Sequence, residues 1–122
     1  MTIFQFLLDE NVSESLRKAL HLRWPEIVVW RAGDPAVPER GTLDPEILVW
    51  CEAHGFSLVI NNRDSMPGHL ENHLSAEKHV PGISTLSAGM TLRATADELA
   101  LIWRAAEPEE FADQIHYLPL RK

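Results

Sequence analysis

Apolar runs of strand length alternate along this chain with stretches whose apolar residues recur at helical spacing. That alternation constrains the fold more than any other feature. Strand, helix and strand in succession build a parallel sheet with helices on its faces. IFQFLL (Ile3–Leu8) reads as a first, buried strand. NVSESLRKALHLRW follows, with Val12, Leu16, Ala19 and Leu20 on one helical face and Asn11 or Ser13 as its cap. Pro25 ends that helix, and the β-branched EIVVWR (Glu26–Arg31) reads as a second strand. A Gly- and Pro-rich loop leads to Asp44-Pro45-Glu46, a helix start with Asp44 as N-cap and Pro45 at the first helical position. The helix EILVWCEAH ends at Gly55 in the manner of a left-handed cap, and Phe56–Asn61 is a third strand. SMPGHLENHLSAE reads as a short helix, and Gly82–Leu86 as a fourth strand. TADELALIWRAAEPEEF reads as one long amphipathic helix with Leu99, Ile102, Trp103 and Ala106 on one side. QIHYLPL closes the pattern as a strand that Pro119 places near an edge.

The expectation is α/β: a three-layer α/β/α sandwich around a central, mainly parallel sheet. At 122 residues the chain is expected to form one domain, spanning 1–122. A net charge of −7 argues against a surface built mainly to hold phosphate backbones. It leaves room for an acidic site that a bound cation would reverse locally. No apolar run approaches the roughly 20 residues of a membrane span. No basic segment precedes a long apolar one, so no signal peptide is expected. Cys51 has no second cysteine to pair with, which fits a reducing, cytoplasmic setting.

In open parallel sheets, sites form beyond the carboxyl ends of the strands. Asp9 and Glu10 stand at the end of strand one, and Asn61, Asn62, Arg63 and Asp64 at the end of strand three. The two polar ends converge if these strands meet at the switch point. The candidate constellation is Asp9, Glu10, Asp44, Asn62 and Asp64. Carboxylates brought close together repel unless a cation sits between them. Oxygen ligands without a thiolate suit Mg²⁺ or Mn²⁺ better than Zn²⁺. Such ions activate water and stabilise a phosphodiester leaving group, and Arg63 beside them would hold a phosphate. A plainer reading stands next to this one: Asp9 and Asn11 cap the first helix, Asp44 caps the second, and Asp64 is a turn residue.

FLLDEN near the start, LDPEIL in mid-chain and LVINNRDS (Leu58–Ser65) together resemble a PIN-like family of small bacterial proteins of unassigned function. That family is similar in outline to the toxin nucleases of toxin–antitoxin pairs. Its outline has a strand ending in Leu-Leu-Asp-Glu-Asn, an Asp opening a helix, and a strand ending in Thr-Asn-Asp-Arg-Asp-Phe. The tail from His79 to Leu120 also resembles a branch of the family, so the likeness covers nearly the whole chain. The resemblance implies a PIN-like sandwich and a Mg²⁺- or Mn²⁺-dependent endoribonuclease. Asp9 matches the first metal ligand, Asp44 the mid-chain acid (Glu46 being the alternative) and Asp64 the last acid. Glu10 would steer ligands from behind, with Asn61, Arg63 and Glu46 near the site or the substrate. Asn62 departs from the pattern, standing where the family has Asp. Its amide offers an oxygen but no charge and no base, so it would be a neutral ligand or would orient the water. Ile60 and Ser65 depart as well, standing where the family has Thr and Phe.

Two functions from different classes follow. One is an RNA-cleaving hydrolase in which Asp9, Asp44 and Asp64 hold the ion. The other is a catalytically impaired PIN-like module that binds a protein such as an antitoxin or a regulatory partner, with a homodimer as a further partner class. Elsewhere, His69 and His73 share a helical face and with His79 suggest a metal site, against the plainer reading of a solvated face. Arg17, Lys18, His21 and Arg23 form a modest basic patch that could take RNA, against the favoured, plainer reading of a solvated helix face with positive charge near its carboxyl end. Trp30, Trp50 and Trp103 lie in apolar runs and are expected in the core, with Trp24 left open. Cys51 is expected to be a buried, small apolar residue.

Overall fold

The computed structural model describes residues 4–120. Five strands form one sheet: β1 (Phe6–Leu8), β2 (Val29–Arg31), β3 (Ser57–Asn61), β4 (Ile83–Leu86) and β5 (Ile115–Tyr117). Every pairing is parallel, and the spatial order is β2-β1-β3-β4-β5. The chain runs from β1 outward to β2, then returns past β1 to β3 and continues the other way. The order therefore reverses between β1 and β3. This pair is in register with Leu7 opposite Leu58 and Leu8 opposite Val59. Phe6, Leu7 and Leu8 are all buried, as a central parallel strand covered on both faces requires.

Helices cover both faces. Alternation along the strands divides the core in two. Phe6, Leu8, Val29 and Val59 pack with Leu16 and Leu20 of α1 (Glu14–Arg23) and Leu99 and Ile102 of α4 (Leu92–Ala105). Leu7, Leu58, Ile60 and Ile83 pack with Ile47, Leu48 and Cys51 of α2 (Asp44–His54) and Met66 and Leu70 of α3 (Met66–Ser75). The molecule is an α/β sandwich with a five-stranded all-parallel sheet. No helix among the described residues is long and apolar enough to cross a membrane.

Local chemistry explains most boundaries. Ser13, not Asn11, caps α1: its hydroxyl accepts the Ser15 N–H at 3.0 Å. Gly55 ends α2 at φ 74°, and its N–H returns to the Cys51 carbonyl. The cap of α2 falls one residue earlier than the sequence suggests. Leu43 takes the extended cap conformation, and Asp44 is the first helical residue with no capping bond to make. The long helix expected over Thr95–Phe111 is two. It starts earlier, at Leu92 behind a Thr91 cap, and stops at Ala105. Pro108 forces Glu107 before it into an extended conformation and opens a separate turn, α5 (Pro108–Phe111). The first strand begins at Phe6 rather than in the stretch that includes Ile3, which lies outside the described residues. β5 lies at the edge, as Pro119 suggests.

One tryptophan expected in the core lies outside it. Trp30 is 42% exposed. It lies on edge strand β2, with Val28 exposed two residues before it while Ile27 and Val29 turn into the core. Trp24, Trp50 and Trp103 are half-buried against the two cores.

Candidate functional site

Asp9 follows β1 directly. Its N–H continues the ladder to the Val59 carbonyl at 2.9 Å, and its own carbonyl accepts from Val12. These bonds fix the residue at the carboxyl end of β1, beside β3, where the strand order reverses. The residue is only 3% exposed. Its Oδ2 accepts the Asn11 N–H at 3.2 Å, and Oδ1 faces the crevice. Asp44 arrives from the other direction, in the first turn of α2, where the positive end of the helix favours a carboxylate. Its side chain is 10% exposed.

Between these two acids lies the guanidinium of Arg63, on the connection from β3 to α3. Nη1 donates to both oxygens of Asp44, at 2.8 and 3.0 Å. Nη2 sits 3.0 Å from Asp9 Oδ1. That second approach has ion-pair distance without hydrogen-bond direction, for Nη2 is buried with no hydrogen-bond partner. The bridge is therefore directional toward Asp44 and mainly Coulombic toward Asp9. His69 Nε2 stands 3.8 Å from Asp44 Oδ2.

The flanking loops are tied to this crevice through the backbone. The Glu10 carboxylate accepts the Gly41 N–H, anchoring the loop that delivers Asp44. Arg31 reaches back from β2 and donates to the carbonyls of Glu10 and Val12, at 2.8 and 2.7 Å. Asn61 Nδ2 donates to the Asn11 carbonyl at 2.8 Å, joining the end of β3 to the β1–α1 turn. Glu10 and Asn61 are thus loop ties in this arrangement.

The expected constellation is assembled in part. Asp9, Asp44 and Arg63 come together. Asn62 and Asp64 are exposed and make no side-chain hydrogen bond to another described residue. Arg63 points into the crevice between Asp9 and Asp44, while its two neighbours lie exposed. Glu46, two residues past Asp44, is also exposed, so Asp44 is the mid-chain acid that reaches the crevice.

No family model, curated protein or solved structure matches this chain. The site must be read from its own geometry.

A divalent ion does not fit the donor set in this arrangement. Mg²⁺ takes a near-octahedral set of oxygens. Here only two carboxylates converge, and guanidinium nitrogens already lie within 3.0 Å of each. Among the described residues no group of three or more His, Cys, Asp and Glu is placed to hold a metal. The histidine trio is dispersed in role. His73 is buried rather than solvated, with Nε2 3.1 Å from both Glu52 Oε1 and the His79 carbonyl. His79 is exposed and pairs with Asp113 at 2.8 Å. The basic patch on α1 is largely answered within the fold. Arg17 bonds Glu14 and Asp34, Arg23 bonds Asp97 at 2.8 Å, and His21 meets the Ile27 carbonyl. Burial pushes the Cys51 thiol up to about 12, so it holds no thiolate near neutral pH.

The sequence suggests Arg63 as a phosphate holder and gives no sign of its pairing with the two acids. No local signal carries that pairing. Its partners are far away in sequence, and only the strand order brings them near. His69 beside Asp44 was equally out of reach, because its position depends on how α3 packs against α2.

Proposed function

We propose that this chain is a PIN-like module that works by binding a protein partner rather than by metal-dependent cleavage of RNA. One observation carries the reading: the two acids that converge at the switch point already share a cation supplied from within, Arg63 between Asp9 and Asp44. A crevice so filled leaves no open coordination positions for an ion or its water. The uncharged Asn62 and the outward Asp64 support the same reading, as does the net charge of −7, which disfavours an extended nucleic-acid surface. The partner class is a protein, such as an antitoxin or a regulatory subunit.

The second reading is a Mg²⁺- or Mn²⁺-dependent endoribonuclease of toxin type. It is favoured by the position of Asp9, an acid almost wholly buried at the end of β1 between two strands whose connections diverge. Cleavage of mixed single-stranded and structured RNAs with Mn²⁺ decides between the two. The expected result is silence from the wild type and from Asn62→Asp, since restoring that carboxylate leaves Arg63 in place. Mn²⁺-dependent cleavage that disappears in Asp9→Asn would overturn the binding reading and install the nuclease.

A further inference from the structure

We infer that Arg63 is the resident cation of this crevice, taking the position between Asp9 and Asp44 that a divalent ion would otherwise need to fill. The inference deepens the binding reading and rests on it.

The sheet delivers Asp9 to the crevice, and the first turn of α2 delivers Asp44. Both are shielded from water, so their mutual repulsion needs a positive group close to each. A guanidinium meets the need in one piece. It is permanently charged, and its fork presents two nitrogens to two separate carboxylates. The observed contacts use that fork, with Nη1 on Asp44 and Nη2 beside Asp9. One guanidinium leaves one negative charge of the pair uncompensated. His69 Nε2 lies 3.8 Å from Asp44 Oδ2.

Backbone geometry makes the substitution self-consistent. Arg63 shares a short turn with Asn62 and Asp64. Arg63 lies inward while Asp64 is exposed, so the crevice holds a guanidinium in place of a third carboxylate. The positive group is thus built into the chain, at the cost of the third carboxylate.

The test is thermal unfolding of the full chain with EDTA or with millimolar Mn²⁺. The wild type is expected to melt at the same temperature in both. Arg63→Gln is expected to melt lower in EDTA and to regain at least about 3 °C with Mn²⁺, saturably, because an ion that binds only the folded state raises its melting point. Arg63→Lys keeps the charge and is expected to remain blind to Mn²⁺. Where Arg63→Gln is too unstable to purify, Arg63→Gln combined with Asp44→Asn removes one carboxylate as well. That double variant is expected to fold and to melt within a few degrees of Asp44→Asn alone. A folded Arg63→Gln that neither loses melting temperature nor responds to Mn²⁺ would overturn the inference. So would a double variant that melts far below Asp44→Asn alone. A wild type stabilised by Mn²⁺, with the shift abolished in Asp9→Asn, would instead sink the binding reading on which the inference stands.

Discussion

Arg63 Nη1 donates to both carboxylate oxygens of Asp44, at 2.8 and 3.0 Å, so one nitrogen ties the turn after β3 to the first turn of α2. Glu46, two residues on, is exposed and bonds nothing across that gap. The two acids should therefore behave differently. Asp44→Ala is expected to cost about 1–3 kcal/mol, the range for a charge-assisted bond lost in a half-shielded site. Glu46→Ala should stay within about 0.5 kcal/mol of wild type, as surface substitutions do. Urea unfolding of both variants at neutral pH checks the contrast, and equal losses would show that the Arg63 tie contributes nothing.

Gly82 carries a different kind of constraint. Its φ is +113°, and an added Cβ would lie 2.6 Å from Phe111 Cδ2 and 2.8 Å from the Phe111 carbonyl oxygen. Phe111 has little room to yield, for its ring stacks on His116 at 3.6 Å and meets Phe4 edge-on at 5.3 Å. Gly82→Ala combines backbone strain with a clash against main chain. A loss of about 2 kcal/mol or more is expected, read as a lower urea midpoint with an unchanged slope.

Much of this fold was legible because its signals are local. Gly55 ends α2, Ser13 caps α1, and the apolar runs around Phe6, Leu58 and Ile83 become parallel strands. The all-apolar run Phe6–Leu8 foretold a strand covered on both faces. The errors arose where tertiary context decides. Trp30 lies in an apolar run, but β2 is an edge strand and its outward positions stay open. The apolar periodicity runs through Pro108 and suggests one helix, whereas the proline separates α4 from α5. At the site, the positions of Asp9 and Asp44 followed from strand ends and a helix start. The inward turn of Arg63, with Asp64 turned out, did not, since a carboxylate and a guanidinium one residue apart look equally suited to face the crevice.

Arg17 joins α1 to the loop after β2, and its partner Asp34 sets an acid limit. Nη1 meets Asp34 Oδ2 at 2.6 Å, and the Arg31 N–H reaches the same oxygen at 2.8 Å. The Arg17 bond, helped by that N–H and opposed by burial, holds the Asp34 carboxyl below its ordinary range. The same arginine lowers Glu14. A carboxyl depressed by folding stabilises the native state above its unfolded value, about 4, and loses that contribution as pH falls through the lower folded value. Asp34→Asn should melt below wild type at pH 7, by about 1–2 kcal/mol. The gap should close on acidification below about pH 4. A gap that persists unchanged at pH 2 would assign the loss to packing instead.

His79 and Asp113 set the opposite limit. His79 Nδ1 lies 2.8 Å from Asp113 Oδ2, while Asp113 Oδ1 accepts the Val80 N–H at 2.9 Å and so fastens the approach to β5 onto the approach to β4. The hydrogen bond to Asp113, with its charge, raises His79 above the ordinary histidine value. Burial pushes Asp113 up, but the Val80 N–H and His79 outweigh it and leave the carboxyl lowered. A histidine raised by folding contributes fully below its unfolded value, about 6.5, and loses that contribution as pH rises through the higher folded value. Asp113 removes its share at the acid end, as pH falls through its lowered value. The pair is therefore whole between about pH 4 and 6.5. Thermal unfolding of wild type and His79→Ala across pH 5 to 9 should give the larger gap at pH 5 and a shrinking one toward pH 9. Because His79 is exposed, the gap at pH 5 should also shrink in high salt. A gap that grows with pH would mean that the ring acts there as a neutral packing group.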